Sequence, residues 1–396
     1  MPKQRMNARV LGILLLVSTA SCSNPGPRTL VYEHRNQADV LSHLDNFAPA
    51  VEASGRTLSF AEFVRAIADR KVVFVGEVHD RYDHHLSQLA ILRAMYQQDP
   101  KLAIGVEWFQ QPFQAELDRF IAGEIDEREL LHRTEYYERW RFDYRMLRPI
   151  LQFAREHRLP VLALNAEREL TRKIGATGLA SLSPEERAKL PETIPPATPE
   201  YTTKLREVYA QHEGRDGDFD NFLAVQRVWD ATMAANVGRY LRQHPEHRVA
   251  VFAGVGHVSN VAGIPHVLRQ YETVPTATVT STLPLPAIAE HIDFYLKTEP
   301  ASLPPGGILG VFLEQQHAHM AIKELPAGSA MLLAGAHAGD LILALDGVPV
   351  SNLTDIKLGL LDRKPGDNVT ARLRRTVGTE PPREIDINVN LQPLGL

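Results

Sequence analysis

Four apolar runs constrain the fold of this chain more than any other feature. They are "KVVFVGE" (Lys71–Glu77), "KLAIGVEWF" (Lys101–Phe109), "LPVLALNAE" (Leu159–Glu167) and "HRVAVFAGVGH" (His247–His257). A strand with one wet face alternates polar and apolar residues, whereas an unbroken run suits a strand covered on both faces, as in a parallel sheet. Helical spacing fills the gaps, in "HLSQLAILRAMYQQ" (His85–Gln98) and in "YRMLRPILQFAREH" (Tyr144–His157) around Pro149. This alternation predicts an α/β fold with a mostly parallel sheet flanked by helices. The rhythm breaks between about Gly175 and His244, where proline-rich "LPETIPPATPEY" and two long helical patterns intervene. The second pattern begins near Asp218 or Asp220, either a good helix N-cap. This stretch reads as a helical insertion able to form a lid over one edge of the sheet.

The two ends of the chain read differently. Lys3, Arg5 and Arg9 precede "VLGILLLV", and "STAS" leads into Cys22. A charged start, a short apolar run and small residues make a secretory signal, too short to span a bilayer as a helix. The approach to Cys22 resembles the lipobox of bacterial lipoproteins, in which the cysteine is lipidated and becomes the first mature residue. Thr19 stands where leucine is usual. Residues 1–22 are therefore read as signal peptide and lipidation site, 23–54 as a polar tether and 55–300 as the α/β domain. A separate unit, 304–396, follows the composition change at "LPLPAIAEHIDFYLKTEPASLPPGG". Cys22 is the only cysteine, which excludes a structural disulfide, a thiolate metal site and a cysteine nucleophile in the mature domains. The net charge of −5 lacks the basic excess of an electrostatic nucleic-acid binder.

In open α/β sheets ligands bind outside the carboxyl ends of the strands. Here the first run ends in Glu77, His79 and Asp80, and the second in Glu107 and Trp108. The third ends in Asn165 and Glu167, and the fourth in Gly254 and His257. Two ends share the pattern G-x-x-H, "GEVH" at Gly76–His79 and "GVGH" at Gly254–His257. A lone G-x-x-H arises by chance, but two copies ending core strands, with a glutamate ending a third, point to a site. Two histidines and a carboxylate with an open position suit a divalent metal such as Zn, Mn or Co and an activated water. The same edge can instead hold a flat ligand. His84 and His85 open a helix and are either ligands or solvated. Asp230 is either a site residue or half of a buried pair. "ERWRFDYR" (Glu138–Arg145) reads mainly as a solvated helix start, with Tyr136, Tyr137 and Tyr144 as potential oxygen ligands.

The segments "VVFVGEVHDRYDHHLSQLAIL", "AIGVEWFQQPFQAELDRFIAGEI", "VQRVWDATMAANV" and "VFAGVGHVSNVAGIP" resemble the ChaN-like lipoproteins. These are haem-binding proteins of bacterial envelopes in a superfamily that includes the Tiki metalloproteases and erythromycin esterases. The resemblance runs from Leu58 to about Ile292. It implies noncovalent haem with a tyrosine or histidine near the iron, and a homodimer in which two haems pair face to face. The axial candidates are Tyr144, Tyr137, Tyr82, His84 and His212, with Tyr144 favoured by its "W-x-x-D-Y" setting; His79 and His257 line the same edge. The Tiki relatives imply instead a hydrolytic metal on His79, His257 and either Glu77 or Glu107, with a second carboxylate as base. The C-terminal "AGSAMLLAGAHAGDLILALDG" resembles the PDZ domains of envelope proteases. There it implies a small β-rich domain that binds a peptide C-terminus at Ile308, Leu309, Gly310 and Val311. The expectation is a lipid-anchored envelope protein, outer-membrane and facing the periplasm by analogy from Ser23, that binds haem for iron uptake or handling. A metal-dependent peptidase or esterase is the alternative.

Overall fold

The computed structural model describes residues 44, 47–210, 218–281, 291–378 and 380–393. The signal peptide, Cys22, residues 23–43 and His212 lie outside the described residues. The chain opens with β1 (Ala50–Ala53), β2 (Arg56–Leu58), α1 (Phe60–Ala66), β3 (Val72–Glu77), α2 (Tyr82–Gln98) and β4 (Leu102–Gln110). It continues through α3 (Gln114–Ala122), α4 (Glu127–Arg133), α5 (Tyr136–Arg139), α6 (Arg148–Glu156) and β5 (Val161–Asn165). Then come α7 (Arg168–Thr177), α8 (Pro184–Ala188), α9 (Pro199–Ala210), α10 (Phe219–Gln243) and β6 (Arg248–Gly254). The domain ends with β7 (Val258–Ser259), α11 (Gly263–Tyr271), β8 (Thr276–Thr280) and β9 (Phe294–Lys297).

The main sheet has the order β2-β1-β9-β8-β3-β6-β4-β5. Strands β9 through β5 in that order run parallel, and β1 and β2 close one side as an antiparallel hairpin. The four apolar runs are thus β3, β4, β5 and β6. Their continuity follows from the layers: side chains alternate across a strand, and both faces are covered. Val73, Val75, Ile104, Val106, Ala250 and Phe252 pack against Leu89, Leu92, Ile150 and Leu151 of α2 and α6. Val72, Phe74, Ala103, Val249 and Val251 pack against Ala234, Val237 and Leu268 of α10 and α11.

Three boundaries differ from the sequence reading. Ala50–Ala53, inside the span read as a tether, pairs with β9. Helix α6 begins at Arg148 rather than Tyr144, because Pro149 sits in its first turn, where a missing N–H costs nothing; Tyr144–Met146 is a short 3-10 turn. The second helix of the supposed lid, α10, belongs to the helical layer covering the sheet, and both it, through Asp230, and α9, through Lys204, reach the end of β6.

The C-terminal unit contains β10 (Phe312–Gln316), β11 (His319–Glu324), α12 (Ala330–Leu333), β12 (Leu341–Leu345), β13 (Val348–Pro349), α13 (Leu353–Leu360), β14 (Asn368–Arg375) and β15 (Arg383–Asn390). These strands form an antiparallel sheet with β10 at one edge over its own core. Helix α13 is gripped by the α/β domain at both ends. The Glu138 carboxylate accepts from the Thr354 hydroxyl at 2.5 Å and the Thr354 amide at 3.2 Å. Arg128 donates to Leu358 O at 2.6 Å. An acid at the helix N-terminus and an arginine at its last carbonyls both complement the helix dipole. Leu358 and Leu361 join the core of the α/β domain.

Candidate functional site

Register brings the strand ends together, with Glu77 of β3 beside Gly254 of β6. The pairing of β4 with β5 shifts between Val106 and Gln110, and such an irregularity re-aims side chains at a sheet's edge. Glu107, inside it, accepts the Gly254 N–H at 2.7 Å. A Cβ on Gly254 would lie 2.8 Å from His79 Cε1 and 3.5 Å from Glu107 Oε2. Glycine there is what lets the His79 ring lie against the end of β6, and explains one glycine of the G-x-x-H pair.

Glu77 is fully buried and organises one side of the site. Its Oε1 lies 2.9 Å from His79 Nδ1 and accepts the Trp108 indole N–H at 3.1 Å. Its Oε2 accepts from Gln88 at 2.6 Å and lies 3.1 Å from His85 Nδ1. Burial works against its charge, but His85 and His79 and their hydrogen bonds outweigh it and hold the carboxyl far below the usual range. Burial likewise opposes charge on His79, while the Glu77 hydrogen bond and the charges of Glu107, Glu77 and Asp80 raise it to about 9. His79 keeps 30% of its side chain accessible. The rings of Trp140 and Phe142 flank it at 4.7 and 5.0 Å. The segment that carries this pair is strained. Glu135 (φ 50°) and Arg141 (φ 73°) bracket α5 in the left-handed region, each costing about 1–3 kcal/mol.

His257 anchors the other side. Its Nδ1 lies 2.6 Å from Asp230 Oδ1, whose other oxygen accepts the Tyr201 hydroxyl at 2.5 Å. Its Nε2 is 3.8 Å from Glu107 Oε1. Burial disfavours its charged form, but Asp230 and Glu107 raise the imidazole above its ordinary value. Lys204 of α9 donates to Gly256 O at 2.9 Å, and burial pulls it down to about 8 despite Asp230. Asp230 is therefore half of a buried pair and, through His257, part of the site wall.

Two sequence candidates take other roles. Tyr144 has no exposed surface, donates to Glu127 at 2.9 Å and packs edge-on to Tyr136; burial pushes its hydroxyl well above the usual range. It is a core residue. His84 is also buried, and its Nδ1 accepts the Val78 N–H at 3.0 Å. Burial holds it down to about 4, a neutral ring pinning the β3 exit. His85, with Nε2 3.1 Å from His79 O, positions the same turn. Tyr137 and Tyr82 are buried as well. The donor set read for a divalent metal does not converge. Among the described residues, the group whose ligand atoms all lie within 4.8 Å is His244, Glu246 and His247, at the opposite end of β6. Sequence reasoning missed Trp140, Phe142, Gln88, Tyr201 and Lys204. Only the W-x-F spacing beside the tyrosines could have signalled the aromatic pair.

In the C-terminal unit, Leu309 is buried and Gly310 has φ 69°. A Cβ on Gly310 would lie 2.9 Å from Ser329 Cβ. Ile308 pairs with Gln392, and Leu309 O accepts the Met331 N–H. Val311 is half-buried and leads into β10, whose residues are mostly exposed. No helix among the described residues is long and apolar enough to cross a membrane.

Comparison with known proteins gives the fold a context. The solved structure of ChaN of Campylobacter jejuni with cofacially bound haem is similar at 18% identity and a TM-score of 0.51, over 63% of this chain and 97% of that one. At that identity the likeness shows the fold. The PDZ domain of a carboxy-terminal protease from Vibrio cholerae in complex with peptide is similar over 24% of this chain and all of that one, at 20% identity and a TM-score of 0.21. A serine endoprotease from Yersinia pestis is similar over 23% and 30%, at 20% identity and 0.20. These two scores are too low to carry an argument. No curated protein matches the chain. The model of the family described as haem-binding uptake, Tiki superfamily, ChaN, matches residues 63–268, from α1 through β6 to α11, and the chain belongs to that family.

Proposed function

We propose that the chain binds haem in the crevice where β3, β4 and β6 end, with His79 as the side chain that meets the iron. The state of His79 carries the reading. Its ring is the most accessible of the described histidine and tyrosine candidates, its Nδ1 is held by Glu77, and Trp140 and Phe142 stand beside it. A carboxylate on Nδ1 fixes the ring and leaves Nε2 as the metal-binding nitrogen. Aromatic side chains suit the face of a flat macrocycle. Haem, when bound, supplies an iron centre whose remaining chemistry is set by axial ligand and pocket. His257, tied to Asp230 and Tyr201, walls the crevice and faces Glu107.

The setting belongs to the same proposal. Lipidation at Cys22 would tether the chain in a bacterial envelope, at the outer membrane facing the periplasm, where captured haem is handled for iron uptake. The C-terminal unit would serve as a PDZ domain that recruits a peptide or protein C-terminus. The edge position of β10 and the left-handed Gly310 before it support strand addition there; titration with labelled C-terminal peptides tests it.

The haem reading is tested by titrating the chain from Ser23 onward with haemin, with elemental analysis of the untreated protein. The expected result is a saturable Soret band, with affinity at least about tenfold weaker in His79→Ala, the scale of one lost metal-site interaction. Tightly held zinc, manganese or cobalt near one per chain, with unsaturable haemin uptake, would overturn it in favour of a metal-dependent hydrolase.

A further inference from the structure

The turn that joins α10 to β6, "HPEH" (His244–His247), carries a second group of nitrogen and oxygen donors. Pro245 ends the helix. A residue before proline is pushed out of the helical region, and His244, with φ −131° and ψ 66°, caps α10. Pro245 and Glu246 form the corner of a turn closed by the His247 N–H, which donates to His244 O at 3.0 Å. Such a turn brings the Cα atoms of its first and fourth residues within about 7 Å, so the two histidines stand side by side. Their ring centroids are 5.3 Å apart and the planes within 22° of parallel.

Three side chains converge there. His247 Nε2 lies 3.5 Å from Glu246 Oε1. One ligand atom from each of His244, Glu246 and His247 lies within 4.8 Å of the other two. Donors about 2.0–2.2 Å from a zinc ion stand about 3.4 Å apart in a tetrahedron. The Glu246–His247 pair has that spacing already, and a small side-chain rotation brings in His244. His247 Nδ1 lies 2.6 Å from the Tyr240 hydroxyl, which can accept its proton. A ring held through Nδ1 in this way presents Nε2 to a metal. Tyr240 also packs against the His244 ring, at 4.5 Å, and so braces both imidazoles. The Lys71 ammonium, which would repel a cation, is turned to the Pro245 carbonyl. Glu246 is exposed and His247 keeps 21% of its side chain accessible, so an ion can enter from solvent.

We infer that His244, Glu246 and His247 form a binding site for a divalent transition ion of the zinc class, separate from the haem crevice. Two imidazoles and a carboxylate suit zinc, copper or nickel, whereas magnesium and calcium take oxygen ligands. The seven residues of β6, at about 3.3 Å each, put the turn roughly 20 Å from the strand end that lines the crevice. No single ion serves both. A metal here clips the end of α10 to the start of β6, and three protein ligands leave a fourth position open to water or a further ligand.

The test is a calorimetric titration with zinc of the chelator-stripped chain, free of any histidine tag, in excess magnesium. One zinc per chain should bind, and zinc should raise the urea midpoint, as a ligand of the folded state does. His244→Ala/His247→Ala should weaken zinc by about a hundredfold or more, the upper end of what loss of an outer partner alone costs, and abolish the rise. Glu246→Gln, a change at an exposed side chain, should weaken it by about tenfold or more without disturbing the fold. Zinc binding should persist in His79→Ala/His257→Ala, and the haemin titration should be unchanged in His244→Ala/His247→Ala. Absence of saturable zinc binding in wild type would overturn the site. So would undiminished affinity in both turn variants, or loss of zinc in the crevice variant alone. Haem binding stands or falls separately, on the haemin titration.

Discussion

His79 Nδ1 lies 2.9 Å from Glu77 Oε1, and that buried carboxylate is shared with Trp108, Gln88 and His85. One acid therefore sets the orientation of the ring that is most accessible among the described site candidates. Glu77→Gln exchanges a charged acceptor for an amide that cannot accept on both ends. Loss of a hydrogen bond to a charged group costs about 1.5–3 kcal/mol, so denaturant unfolding should show a destabilisation of about 2 kcal/mol. Haemin affinity should fall as the ring loses its orientation. Unchanged stability and affinity would remove Glu77 from this role.

The same pair predicts a pH profile for folding. Glu77 is held below its unfolded value of 4.5, so its contribution is present above that pH and lost as pH falls. His79 is raised from 6.5 to about 9, so its contribution is complete below 6.5 and lost as pH rises through 9. Stability from this pair should therefore peak between about pH 4.5 and 6.5. Urea midpoints at pH 5.5, 7.5 and 9.5 should decline in wild type and flatten across the upper range in His79→Gln. An equal alkaline slope in the variant would refute the assignment.

Binding through the same ring should run the other way. A ligand that takes an imidazole nitrogen must displace the proton held there up to about pH 9. Haemin affinity should then strengthen by up to about tenfold per pH unit between 7 and 9, and the dependence should vanish in His79→Ala.

Tyr144 and His79 are separable by mutation. Tyr144→Phe removes the 2.9 Å bond to Glu127, leaving a half-buried carboxylate that Arg148 still pairs. A stability loss of about 1–2 kcal/mol is expected, with the haemin spectrum unchanged. A shifted Soret band in Tyr144→Phe would return the tyrosine to the iron.

The grip on α13 should be open to measurement. Glu138→Ala with Arg128→Ala removes the contacts at Thr354 and Leu358. Hydrogen exchange should quicken in α13 and in the Tyr136–Phe142 segment together, because Glu138 belongs to the segment that carries Trp140. Quickening in α13 alone would show that the two do not communicate.

The sheet was legible because β3, β4, β5 and β6 are covered on both faces, and burial leaves a continuous apolar trace. The strand-end histidines were legible for the same reason: polar groups directly after such a trace have few explanations. What the sequence left hidden depends on partners distant in the chain. His84 and His79 look alike as letters, and only the folded turn gives one the Val78 amide and the other Glu77. Tyr144 drew attention by its spacing, yet Glu127 and Tyr136 enclose it. Trp140 and Phe142 read as surface residues until α5 sets them against a ring from β3's exit. Asp230 needed both His257 and Tyr201 to be identified as a shared buried acid.

Leu358 and Leu361 complete the core of a domain whose other members are drawn from Leu44 to Leu296. Chains emerge from the ribosome N-terminus first, and domains generally fold in that order. Here the earlier domain leaves synthesis with an open apolar socket that only the last part of the chain can fill. A ribosome paused before residue 358 would display that socket to chaperones.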